Sequence, residues 1–143
     1  MKYLLDTNVL SESYNIKCDK NVESFINSIQ QENMFVSVIS IGELCYGVEK
    51  LPSSKKKHDL SIWLYSKIPE WFKNRIIPVE NELALKWGNI KALTKRTLSG
   101  VDSLIAATAI FHNMFLVTRN TKDFDDIEGI NLLNPWEYLN PEN

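Results

Sequence analysis

The chain has 143 residues, enough for a single domain that buries its own core without disulfide or metal staples. Its 44% apolar and 24% charged content is that of an ordinary globular protein, and a formal net charge of -2 excludes a globally basic nucleic-acid binder. Cys18 and Cys45 stand alone, without CxxC spacing, as suits inert thiols in a reducing cytosol.

The opening Met1-Lys2-Tyr3-Leu4-Leu5-Asp6 puts an acid where a signal peptide needs its apolar stretch to continue, and no later run is long enough to cross a bilayer. A soluble, cytoplasmic protein with no membrane contact is expected. Tyr3-Leu4-Leu5 reads as a short strand closed by Asp6-Thr7-Asn8, residues that favour turns and helix caps. After a polar stretch, Val22, Phe25, Ile26 and Ile29 recur at helical spacing, and that helix ends near Gln30-Gln31. Met34-Phe35-Val36-Ser37-Val38 predicts a buried strand, followed from Ser40 by a helix to about Lys50.

Leu51-Pro52-Ser53-Ser54 punctuates the chain, and either serine can cap a helix that begins with Lys55, Lys56 and Lys57 and turns apolar at Leu60, Trp63, Leu64 and Ile68. Pro69 is expected to end or kink it. Arg75 to Val79 is a third strand candidate, and a long helix carrying Leu83, Trp87, Ile90 and Leu93 follows. Ser99-Gly100 breaks that helix, a very apolar one starts at Val101, and His112-Asn113 caps it. Met114 to Val117 is the fourth strand and Asn131-Leu132-Leu133 the fifth. Strands alternating with helices argue for a mostly parallel sheet covered on both faces, in one domain spanning residues 1–143.

Asp6, Glu43, Asp102 and Asp123 each fall just past one of these strands or at the head of the next helix. In a parallel α/β sheet such positions converge at the carboxyl edge, where ligands bind. Each has a structural alternative: Asp6 as an N-cap, Glu43 as the capping-box acid of Ser40-Ile41-Gly42-Glu43, Asp102 as that of Ser99-Gly100-Val101-Asp102, and Asp123 as a turn residue with Asp125 and Asp126 beside it. Caps alone do not require four separate elements to bring an acid to one edge. A nest of oxygen ligands without a Cys/His cluster selects a hard cation, Mg²⁺ or Mn²⁺, and with it phosphodiester chemistry.

His58 and His112 offer no metal-free acid–base pair: one lies on the basic helix, the other in a last helical turn where a cation suits the dipole. Arg119 and Lys122 flank the acidic edge and suit phosphate contacts, while Lys91, Lys95 and Arg96 in the long helix and the Lys55 run read first as solvated faces. Trp63 and Trp87 fall in apolar stripes and read as core or interface rather than as stacking platforms.

Four strings in order resemble the motifs of PIN-domain nucleases: Leu4 to Glu12, Val38 to Leu44 with Gly47 behind it, Asp102 to Ala109, and Leu116 to Phe124. The tail Leu133-Asn134-Pro135-Trp136 is similar to that of the VapC and FitB branch, the toxins of bacterial toxin–antitoxin pairs. A proline often precedes the third-motif Asp in that family; here Gly100 supplies the break. The resemblance spans Tyr3 to Trp136 and implies a three-layer α/β/α sandwich with Mg²⁺- or Mn²⁺-dependent endoribonuclease activity. It implies Asp6, Glu43, Asp102 and Asp123 as the metal-holding catalytic quartet, supported by Thr118, Asn120 and Asn8. It also implies a VapB-like antitoxin encoded nearby, homodimerisation, and DNA contact only through the antitoxin. A haloacid-dehalogenase-like phosphohydrolase is disfavoured, since Asn8 stands where that chemistry wants a second Asp; a non-catalytic PIN-fold module for RNA or protein contact is disfavoured by the intact quartet.

Overall fold

A computed structural model describes residues 1–139 and 141. Five short strands, β1 (Tyr3–Leu5), β2 (Met34–Ser37), β3 (Ile76–Ile77), β4 (Phe115–Val117) and β5 (Asn131–Leu133), form one sheet in the order β3-β2-β1-β4-β5. All four pairings are parallel, with Leu4 opposite Phe35 on one side and Leu116 on the other. The helices are α1 (Thr7–Tyr14), α2 (Lys20–Ser28), α3 (Val38–Glu49), α4 (Lys55–Ile62), α5 (Ile68–Trp71), α6 (Asn81–Leu93) and α7 (Gly100–Phe111). A π-helical turn, Trp63–Lys67, joins α4 to α5.

Successive strand residues face opposite ways, and the core divides accordingly. Leu4 and Leu116 pack with Leu83 and Ile90 of α6 and with Ile105, Ala106 and Ala109 of α7. Leu5, Val36 and Val117 pack with Val9 and Leu10 of α1, Phe25 of α2, Leu44 and Val48 of α3, and Leu64, Ile68 and Phe72. The result is the expected three-layer α/β/α sandwich. Among the described residues no helix is long and apolar enough to cross a membrane.

The strand order positions the site. From β1 the chain winds outward to β2 and β3, then returns to lay β4 on the other side of β1. Between β1 and β4 the connections diverge to opposite sides, opening a crevice at the carboxyl ends of those strands.

Several sequence expectations shift. Helix α1 was not anticipated as an element, but the N-cap alternative for Asp6 holds, its side chain accepting from the Thr7 N–H at the helix start. Helix α3 starts at Val38 rather than Ser40, because Ser37, the last residue of β2, already caps it by accepting from the Ile39 N–H. Pro69 does not end its helix, which runs on to Trp71. The π turn just before Pro69 widens the backbone where a proline ring would crowd a preceding carbonyl. Helix α6 stops at Leu93, leaving Lys95 and Arg96 outside it, with the extended Thr94 turning its hydroxyl back to the Ile90 carbonyl at 2.8 Å. Strand β3 shrinks to two residues. The cap after α7 stands, with Asn113 at φ 55° in the left-handed region that Asn tolerates.

Candidate active site

Asp6 leaves β1 directly into α1, and Thr118 leaves β4 directly opposite, so both stand at the crevice. Asp6 is buried, with 8% of its surface exposed. One carboxylate oxygen accepts from the Thr7 N–H at 2.8 Å, and the other from the Thr118 hydroxyl at 2.9 Å. The Thr118 Oγ1 in turn accepts from the Asn8 side-chain amide at 3.3 Å and from the Asn120 N–H at 3.1 Å. The Asn8 carbonyl oxygen accepts from the Arg119 N–H at 3.3 Å. The three supporting polar residues therefore act as one network, in which Asn120 takes part through its main chain and Thr118 is the hub.

Glu43 joins from α3. Its Oε1 accepts from the Thr7 hydroxyl at 2.6 Å, so Thr7 binds Asp6 with its main chain and Glu43 with its side chain. Thr7 is the site residue that sequence reasoning missed; only its place beside Asp6 pointed to it. The capping-box alternative for Glu43 fails. Ser40 lies inside α3, fully buried and, among the described residues, with its hydroxyl unpartnered, and Glu43 is the sixth residue of the helix, beyond reach of the cap. The matching alternative for Asp102 holds by half: Ser99 caps α7 by accepting from the Asp102 N–H at 3.0 Å. Among the described residues the Asp102 carboxylate accepts no hydrogen bond of its own.

Burial pushes the Asp6 carboxyl above the ordinary carboxylate range. The hydrogen bonds from Thr118 and Thr7 pull it back down, and the charges of Glu43 and Asp102 push it up again. Glu43 and Asp102 thus both act on Asp6 across the β1/β4 edge. Their oxygen-only donor set suits a hard cation, and the repulsion at Asp6 is of the kind such a cation offsets. As they stand, no three acidic, His or Cys side chains among the described residues are gathered closely enough to hold an ion.

Asp123 sits on the 3-10 turn Thr121–Asp123 that follows β4, exposed at the rim. The Arg96 guanidinium binds its main-chain carbonyl and pairs through Nε with Asp126 at 2.6 Å. Asp123 makes no hydrogen bond to the other three acids. Arg119 is exposed beside the network, its guanidinium 4.9 Å from the centre of the Trp136 ring, and Lys122 is exposed on the same turn as Asp123.

Away from the edge, Trp87 is part of a core layer, as expected, and donates to Ser103 at 2.8 Å. Trp63 is only half-buried and lines a groove that opens onto Thr7 and Glu43. His58 lies on α4 and His112 behind α7, on separate elements, and burial and Lys2 lower the His112 pKa.

A family model described as PIN domain matches residues 3–130. The chain is 33% identical over 136 residues to Toxin FitB of Neisseria gonorrhoeae, covering 93% of this chain and 97% of that protein. It is 28% identical over 137 residues to VapC ribonuclease Y4jK of Sinorhizobium fredii, covering 94% and 97%. Among solved structures, FitAB bound to an IR36 DNA fragment superposes with a TM-score of 0.88 at 30% identity, covering 97% of this chain and 99% of the matched one.

Proposed function

The chain belongs to the PIN-domain family, and from that premise we propose that it is an endoribonuclease dependent on Mg²⁺ or Mn²⁺, acting as the toxin of a toxin–antitoxin pair. The observation that carries the reading is Asp6: a buried carboxylate held on both oxygens and repelled by Glu43 and Asp102 at the switch point of the sheet. A relative named as a ribonuclease over nearly the full chain supports RNA as the substrate.

Asp6, Glu43, Asp102 and Asp123 would hold the ion. When bound, it supplies charge neutralisation at the phosphate and activation of water at neutral pH. Thr118 and Thr7 fix the Asp6 carboxylate, and their hydrogen bonds favour its ionised form against its burial. Thr7 also orients Glu43, and Asn8 holds the Thr118 hydroxyl and the start of the Arg119 loop. Arg119 and Lys122 meet the phosphates flanking the cut, giving affinity without sequence choice.

The same reading gives the protein an antitoxin partner of the VapB type encoded nearby, a homodimeric state, a cytoplasmic location, and DNA contact only through the antitoxin. It is supported by the likeness to FitAB bound to an IR36 DNA fragment and to VapBC2 of Rickettsia felis bound to a DNA fragment from their promoter. The test is cleavage of RNA by the purified chain with Mg²⁺, with Mn²⁺ and with EDTA. Cutting in either metal that stops in EDTA and in Asp6→Ala and Asp102→Ala is expected. Cutting that survives EDTA or both substitutions rules the reading out.

A further inference from the structure

Arg96 lies in the connection between α6 and α7, residues 94–99, outside the long helix where the sequence pattern places it. It reaches across to the connection between β4 and β5. Its Nε donates to the Asp126 carboxylate at 2.6 Å, and a terminal nitrogen donates to the Asp123 main-chain carbonyl. Each of these connections serves one of the four acids. Asp123 sits on the second, and the first ends at Ser99, whose hydroxyl accepts from the Asp102 N–H at the start of α7. Among the described residues, the hydrogen bonds between the two connections come from Arg96 alone.

Folding does not need this bridge. The two side chains of the pair are 42% and 44% exposed, and an ion pair so well solvated adds little to stability. Leu98 on one connection and Phe124 and Ile127 on the other are buried in a core layer and hold both segments down. Within the turn, the Asp123 N–H donates to the Asn120 carbonyl and the Phe124 N–H to the Thr121 carbonyl, each at 3.0 Å. Those bonds close the turn on itself. Only the Asp123 carbonyl, through Arg96, ties it to the segment that leads to Asp102. A guanidinium suits the task, because its rigid fork meets a carboxylate and a carbonyl at once and stays charged. By taking the carbonyl it leaves the Asp123 carboxylate unengaged.

We propose that Arg96 is a positioning residue for Asp123: anchored on Asp126, it sets where the outer acid stands relative to Asp102, and so how tightly the acidic edge takes up a divalent cation. This deepens the metal-dependent reading and rests on it. Charge alone makes the opposite demand. A cation beside an acidic site repels a metal ion, so removing it would strengthen binding. The sign of the change therefore separates placement from charge.

The readout is Mn²⁺ binding by the purified chain without RNA, followed by the electron paramagnetic resonance of the free ion. Arg96→Gln is expected to weaken binding about tenfold, the lower end of what partners of metal ligands are worth. Arg96→Lys, which keeps the charge and loses the fork, is expected to weaken it as well. In an Asp123→Asn background neither change adds a further loss, because the effect runs through Asp123; a loss caused by unfolding would appear there too. The proposal is overturned if Arg96→Gln binds Mn²⁺ as tightly as its parent or more tightly, or if its loss persists in full beside Asp123→Asn. A parent chain that binds no Mn²⁺ overturns it together with the metal-dependent reading. A parent that binds Mn²⁺, weakens with Arg96→Gln and yet cuts no RNA supports the placement of Asp123 and strikes the ribonuclease reading alone.

Discussion

The acidic edge has an inner half and an outer half, built on different physics. Inside, Asp6 is buried, bound on both oxygens, and tied through Thr7 to Glu43 and through Thr118 to Asn8 and Asn120. Outside, Asp123 is solvated on a short 3-10 turn whose nearest strong interaction, Arg96 with Asp126, is itself exposed. A buried carboxylate can be positioned only at a cost in desolvation, and the hydrogen bonds that offset it also fix its geometry. A solvated one bears no such cost, and nothing about its exposure fixes its geometry. The inner half is therefore the organised part of the edge, and the outer acid stands apart from it, with no hydrogen bond to the other three.

Removing the inner acid should break the contrast most completely. Asp6→Asn is expected to lower RNA cleavage by more than about a hundredfold, the upper end of what even supporting groups around a metal are worth. The same change should stabilise the metal-free fold at neutral pH. The folded Asp6 holds its proton more tightly than the ordinary carboxylate at 3.8, so the folded state binds the extra proton in the window just above that value. Stability of the unmodified chain therefore falls as pH rises through that window, and the loss is complete above the folded pKa. Asp6→Asn lacks the loss and should melt higher than its parent at pH 7, with the gain vanishing at low pH. Thermal melts across pH in EDTA check this; a variant less stable than its parent at pH 7 would contradict it.

One step down, Thr118→Val keeps the shape but removes the hub hydroxyl. Asp6 loses a hydrogen bond that holds it ionised, so cleavage should fall by about 10–100-fold and its rise with pH should move to higher pH. A uniform loss with an unmoved pH profile would make Thr118 merely structural. Asp123→Asn tests the outer half. With no hydrogen bond to the other acids, it should cost less than Thr118→Val, roughly tenfold or below, with most of the loss recovered by raising the metal concentration. A loss as large as that of Asp6→Asn would erase the distinction between the halves.

What the sequence made legible follows the same division. Strand and helix order, the carboxyl-edge placement of Asp6 and the Ser99 cap beside Asp102 were all readable, because each rests on a contiguous apolar run or a local cap. Thr7 was not, since its role is a contact across 36 positions to Glu43 that no local string announces. Helix α1 was hidden because its buried face is only Val9 and Leu10, too short for a periodic signal. Thr118 and Asn120 entered only through family resemblance, and Asp123 was separated from Asp125 and Asp126 in the same way.

The smallest effect concerns how Glu43 is delivered to the inner half. Two serines stand three residues apart, and each can start α3 on local grounds. If Ser40 were the cap, Glu43 would be turned back onto its own helix start. The structure starts the helix at Ser37 instead, because β2 pairs with β3 as far as Ser37 opposite Ile77 and the chain turns helical at once beyond it. Removing the true cap, Ser37→Ala, should cost about 1 kcal/mol. Ser40→Ala should cost nothing or stabilise by up to about 1 kcal/mol, since it removes a buried hydroxyl with no partner and puts a better helix former in a helix interior. Denaturant melts of the two variants read the difference, which has opposite signs for the two starts. A loss confined to Ser40→Ala would restore the capping box and take Glu43 out of the site.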